Sequence, residues 1–126
     1  MKTIQKSYVI MAPVAFVWKA FVDPHEIDAW GGGPAVMDDN EGTAFSLWGG
    51  DIHGKNIEVV INKKLVQEWY GGDWLEASRV TFIFNSEGNK TQVSLLHENV
   101  PDAEVKDIDS GWDDYYLGQI KAHLEE

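Results

Sequence analysis

Few side chains in this 126-residue chain could do acid–base or nucleophilic chemistry at neutral pH. There is no cysteine, so a thiolate nucleophile, a thiolate metal site and a disulfide framework are all excluded. Of the four histidines, His97 is the one that alternation turns inward, in line with Val93 and Leu95. A histidine on such a face has its ring nitrogens satisfied by a hydroxyl or carbonyl, or it moves protons with a partner carboxylate. Alternation brings no carboxylate to that face, and the only other polar group expected inward is Gln67. His97 is therefore expected to be a core histidine, with an acid–base role beside Tyr116 as the catalytic alternative.

The remaining motifs carry no chemistry. Gly31-Gly32-Gly33 has no feeding strand, and Val36 stands where a dinucleotide fingerprint needs its third glycine. Asp107-Ile108-Asp109 starts like a calcium loop, but Gly111 falls one place early and Gly118 replaces the distal glutamate. His25-Glu26 lacks the second histidine of a zincin helix. No catalytic residue, cofactor or metal is expected.

Twenty-one acidic against ten basic residues leave a formal charge of -11, which disfavours nucleic acid and anionic membrane surfaces as partners. A hydrophobic content of 44% with six tryptophans argues for a packed core rather than disorder. Lys2 and Lys6 before the apolar run from Tyr8 to Trp18 imitate a secretory signal. Pro13 breaks that run, and no stretch approaches the ~20 apolar residues of a membrane span. The expectation is a single domain over 1–126, soluble and cytoplasmic.

These residues must be positioned by strands and helices. Residues 2–11 alternate as a strand with Ile4, Tyr8 and Ile10 on one face. Pro13 then opens a helix whose face is Val14, Val17, Trp18 and Phe21. Asp23-Pro24 starts a second helix, ended after Trp30 by the glycines. Short strands follow: 35–37, 43–48, 53–62 with Ile57, Val59 and Ile61 on one face, 65–70 with Leu65, Gln67 and Trp69, 79–85 with Val80, Phe82 and Phe84, and 91–98. Residues 101–109 are expected as a polar connecting loop. Ser110 to Glu126 is an amphipathic helix with Ser110 and Asp113 as a capping box. Its stripe is Trp112, Tyr116, Leu117, Ile120 and Leu124. This pattern is α+β: an antiparallel sheet of six or seven strands, two short helices after the first strand, and a long terminal helix over the apolar face.

Several separated pieces resemble one family. Ile10-Met11-Ala12-Pro13, Val17-Trp18-Lys19-Ala20-Phe21 and Asp23-Pro24 are similar to the opening of START-like (SRPBCC) helix-grip domains. Phe45-Ser46-Leu47-Trp48-Gly49-Gly50 with Gly54, and Leu65-Val66-Gln67-Glu68-Trp69, continue the pattern. Gly111-Trp112-Asp113-Asp114-Tyr115-Tyr116 through Ile120-Lys121, with Asn99-Val100-Pro101 before it, resembles the C-terminal domain of activators of the ninety-kilodalton heat-shock chaperone's ATPase. That resemblance implies a curved sheet wrapped around the terminal helix and a non-enzymatic, stress-related domain that contacts a chaperone. The expected contact is the acidic stretch carrying Asp102, Glu104, Asp107 and Asp109, where six acids from 102 to 114 face one lysine. The alternative implied by the fold is a carrier or sensor of a small hydrophobic ligand such as a lipid, sterol, polyketide or aromatic. Its cavity would be lined by Trp69, Phe82, Phe84, Leu95, His97, Trp112, Tyr116 and Ile120.

Overall fold

The computed structural model describes residues 1–125. The alternating segments form β1 (Lys2–Ile10), β2 (Ala44–Leu47), β3 (Ile52–Val60), β4 (Lys64–Gly71), β5 (Ser78–Glu87) and β6 (Lys90–Val100). They make one curved antiparallel sheet in the order β1-β6-β5-β4-β3-β2. The last five strands are a meander, and β1 returns to close the far edge beside β6. Between β1 and β2 the chain forms α1 (Val14–Val22) and α2 (Pro24–Trp30). The Asp23 carboxylate accepts the His25 N–H at 2.9 Å, so it caps α2, and Gly31 ends that helix at φ 105, where a side chain would be strained.

Register sets the core. Phe82 pairs with Leu95, Phe84 with Val93 and Val80 with His97 across β5 and β6. The α1 face lays Phe21 on this platform, with its ring 4.8 Å from Phe82 and 5.0 Å from Phe84. Burying each such ring contributes about 1.5–3 kcal/mol, and the edge-to-face geometry adds about 0.5–1.5 kcal/mol per pair.

The terminal helix differs from the sequence expectation at its start. Residues 101–109 are not a loop: Asp102–Glu104 is a 3-10 turn and α3 (Val105–Gly111) follows directly. Val105, Ile108 and Trp112, three and four residues apart, supply the apolar face that holds it down, and Asp107 in its first turn suits the helix dipole. The Ser110–Asp113 capping box does not form. The Ser110 hydroxyl donates to the Asp107 carbonyl at 3.2 Å, inside the helix, and Asp113 turns toward β1.

The helix then passes through a π turn at Trp112–Tyr116 before α4 (Leu117–Leu124). Trp112, Tyr116, Ile120 and Leu124 recur every four residues, a spacing that drifts around an α-helix of 3.6 residues per turn. The extra residue of the π turn absorbs that drift, and all four remain on the core side. Glu126, the expected end of this helix, lies outside the described residues.

Two further expectations are corrected. A bulge between Asn56 and Glu58 shifts β3 by one residue, so Asn56 and Val59 face the core and Ile57 is exposed, while Ile61 lies past the strand in the turn to β4 and is exposed as well. Residues 35–37 are not a strand; a single bridge joins Val36 to Ser46, and the sheet has six strands.

Candidate functional site

A groove of about 340 Å³ opens between the terminal helix and the β2–β4 end of the sheet. The sheet side supplies Trp48, Ile52 and Trp69. The helix side supplies Ile108, Gly111, Trp112, Tyr115 and Tyr116. The π turn is what presents three of these rings together. Its Leu117 N–H donates to the Trp112 carbonyl, and the Gln119 side chain donates to the Asp114 carbonyl at 3.0 Å, satisfying an acceptor that the turn leaves free.

The groove floor is rigid. Trp69 stacks on Trp112 with centroids 4.9 Å apart, and Tyr116 packs 4.7 Å from Trp112 and 4.9 Å from Trp30. Both floor indoles are also held by hydrogen bonds. The Trp112 Nε1–H donates to His97 Nδ1 at 3.1 Å. Because Nδ1 accepts, Nε2 carries the proton and donates to the Ser78 hydroxyl at 2.8 Å. Burial lowers the His97 pKa to about 4, so the ring is neutral at physiological pH. The Trp69 Nε1–H donates to Gln67 Oε1 at 2.8 Å, Gln67 Nε2 donates to Asn56 Oδ1 at 2.9 Å, and Asn56 Nδ2 donates to the Asp38 carbonyl at 3.1 Å. The Tyr116 hydroxyl, by contrast, is buried with no hydrogen-bond partner among the described residues, and burial raises its pKa.

Of the residues expected to line a cavity, Trp69, Trp112 and Tyr116 line this groove. Phe82, Phe84, Leu95, His97 and Ile120 lie behind it in the packed core. Trp48, Ile52, Ile108, Gly111 and Tyr115 complete the lining and escaped the sequence reading. Ile108 could have been found by continuing the helical stripe upstream of Ser110, four residues before Trp112. The His97 ring bonds to Ser78 and Trp112 and packs against Trp69.

The acidic stretch is partly spoken for. Asp102 pairs with the Met1 amine at 3.0 Å, and Glu104 accepts the Trp74 indole N–H at 2.6 Å. Asp109 lies 3.3 Å from Lys6, whose ammonium also reaches Asp113 at 2.9 Å. Tyr8 donates to the other Asp113 oxygen at 2.5 Å. The hydrogen bonds from Tyr8 and Lys6 lower the Asp113 pKa. Burial works against the charge of Lys6, but its bonds to the two aspartates outweigh it and raise the pKa. The Asp107 carboxylate is exposed and makes no such bond among the described residues. Nor do the described residues bring three His, Asp or Glu side chains together as a metal site would.

The sheet order, the terminal helix and the aromatic groove can now be set against known proteins. Residues 11–125 match the family model described as Activator of Hsp90 ATPase homolog 1-like protein. The chain belongs to this family. A curated relative from Dictyostelium discoideum, an activator of 90 kDa heat shock protein ATPase homolog, is 30% identical over 82% of this chain and 28% of its own length. An uncharacterized protein of Schizosaccharomyces pombe is 31% identical over 94% of this chain and 36% of its own. This family member thus spans about a third of those curated relatives. A solved HSP90 activator from Plasmodium falciparum superposes with a TM-score of 0.91 at 27% identity, covering 99% of this chain and 97% of that one. The helix-grip fold of the activator family is therefore the fold of this chain. No helix among the described residues is long and apolar enough to cross a membrane.

Proposed function

We propose that this domain is a non-enzymatic, co-chaperone-like module that binds a heat-shock chaperone of the ninety-kilodalton class through the acidic face of its terminal helix. The observation that carries this reading is the Plasmodium falciparum HSP90 activator, which matches the chain almost end to end at about the same extent. His97 supports the non-enzymatic part, because both of its nitrogens are engaged in holding Ser78 and Trp112 and no carboxylate among the described residues bonds to it. The lack of cysteine fits a reducing cytoplasmic setting.

Titration calorimetry of the full chain against the chaperone tests the reading, with the chaperone's ATPase rate as a second measurement. Binding that weakens steeply as salt rises toward about 0.15 M supports it, because charge-steered contacts are screened on that scale. Absence of binding at low salt rejects it.

The groove favours a second reading, in which a small hydrophobic molecule occupies the space beside Trp69 and Trp112. Native mass spectrometry of gently purified protein addresses this directly. A protein that is always empty, with no tryptophan fluorescence response to lipids or aromatic compounds, counts against it.

A further inference from the structure

The geometry points to the aromatic groove as the anchor site for a basic protein segment: one that inserts a large apolar side chain between Trp48 and Tyr115 and places lysines or arginines on the groove rim. This rests on the chaperone-binding reading and adds the surface and the chemistry of the partner.

The apolar half of the argument starts at the groove mouth. Tyr115 lines the groove yet is 66% exposed, so its ring offers area to a partner rather than to the core. Trp74 extends the wall outward. A Cβ on Gly71 would lie 3.0 Å from Ile52 Cδ1 and 3.5 Å from Trp74 Cζ2, so those two side chains flank the same backbone point. The Trp74 indole is tied to Glu104 at 2.6 Å, which bridges the sheet side to the start of the terminal helix. Next to it, Leu75 is 97% exposed at the tip of the β4–β5 connection. One exposed ring, two half-buried indoles and an exposed leucine around a concave apolar floor offer a partner a contiguous apolar surface with aromatic anchors.

The charged half is the rim. Asp51 precedes the groove residue Ile52, Asp73 and Glu76 flank Trp74 and Leu75, and Asp107 precedes Ile108. All four are exposed, and none of their carboxylates has an ion pair or hydrogen bond among the described residues. No lysine or arginine occurs in 48–53, 72–76 or 107–117. The opposite flank of the same helix is different, since Lys6 there pairs with both Asp109 and Asp113. These four unpaired acids flank the groove and its wall, where they attract a basic segment and repel an acidic one. A groove of this volume sits near the lower end of the range of about 300–1,000 Å³ for small-molecule pockets, and it suits one or two large side chains.

The test uses the full chain and short synthetic peptides with Leu and Phe at the centre and either lysines or glutamates on both flanks. Binding is read by tryptophan fluorescence and by chemical shifts of the Trp48, Trp69 and Trp112 indole N–H groups. The lysine-flanked peptide should bind at least about tenfold tighter than the glutamate-flanked one, and the gap should close with salt. Ile108→Glu, which puts a charge inside the groove, should weaken it about tenfold or more. Asp51→Lys with Glu76→Lys alters only exposed rim groups, so it leaves the thermal midpoint in place while reducing the lysine-peptide affinity.

Equal binding of the two peptides, indifference to the rim variant, or no response at all overturns the proposal. Chaperone binding that survives both sets of substitutions would leave the chaperone reading standing and remove the groove from it. Lysine-peptide binding without chaperone binding would do the reverse.

Discussion

Trp112 donates its indole proton to a neutral His97 at 3.1 Å, and through that bond a core residue of β6 holds the floor of the surface groove. The bond exists only while Nδ1 is a free acceptor, so protonating His97 turns an attraction into two opposed donors.

Stability should therefore fall on acidification before the carboxylates titrate. The His97 pKa is near 6.5 in the unfolded chain and about 4 in the folded one. The folded value is the lower, so the unfolded state takes up protons first and stability is lost as pH falls from about 6.5 toward about 4. A shift of this size corresponds to roughly 3 kcal/mol across that window. Urea unfolding at several pH values checks it: the slope should flatten in His97→Gln, while that variant starts less stable by about 1–3 kcal/mol at neutral pH through disturbed bonds to Trp112 and Ser78. An unchanged slope would mean that another group carries the acid sensitivity.

On the other flank, Asp113 is fixed by Lys6 and Tyr8, which clasps the π turn to β1. Asp113 is about half exposed, so solvent screens much of this attraction and Asp113→Asn should cost only about 0.5–1.5 kcal/mol. Its lowered pKa makes that contribution present above about pH 4 and lost below it. A double-mutant cycle of Tyr8→Phe with Asp113→Asn should return a coupling of about 0.5–1 kcal/mol; additive effects would show that the two act separately.

The core was legible because period-two alternation acts directly on burial. Val80, Phe82, Phe84, Val93, Leu95 and His97 point inward in the structure as their spacing implies. The groove was harder to read because it is made by two departures from periodicity. The bulge after Asn56 reverses the inward face of β3, so that Asn56 and Val59 face inward and Ile57 does not, while Ile61 is exposed in the turn past the strand's end. The π turn changes which helix residues share a face, and no single residue type marks such a turn. Lys6 was visible in principle: it sits between Ile4 and Tyr8 on the inward phase of β1, and an inward lysine calls for carboxylate partners. The acids of 102–114 suggested a loop because charge outweighed Val105 and Ile108, whose spacing to Trp112 is helical.

Gln67 ties Trp69 to Asn56 in a buried chain of hydrogen bonds. Gln67→Leu removes both links and leaves the Trp69 N–H and the Asn56 oxygen without these partners, at a cost of about 2–4 kcal/mol. The sharper readout is positional. The Trp69 indole N–H resonance should shift and broaden, and fluorescence quenching in the groove should change even at temperatures where the variant is fully folded. A stable variant with an unaltered Trp69 signal would argue that stacking on Trp112 alone positions the ring.

Gly118 gives the prediction whose sign separates two arguments. In an ordinary exposed helix, replacing glycine by alanine stabilises by about 1 kcal/mol. At Gly118 a Cβ would overlap the Asp113 carbonyl oxygen, because the π turn brings that carbonyl against the following turn. Relief requires the backbone of the turn to move, so Gly118→Ala should destabilise by about 1–3 kcal/mol. Gly111 is the internal control: a Cβ there meets Tyr115 Cδ2 at 3.9 Å, an ordinary contact, and Gly111→Ala should stabilise by about 0.5–1 kcal/mol. Paired denaturation curves decide the matter. If both alanines stabilise, the helix tolerates a regular α turn at Trp112–Tyr116, and the presentation of Trp112, Tyr115 and Tyr116 to the groove would need another cause.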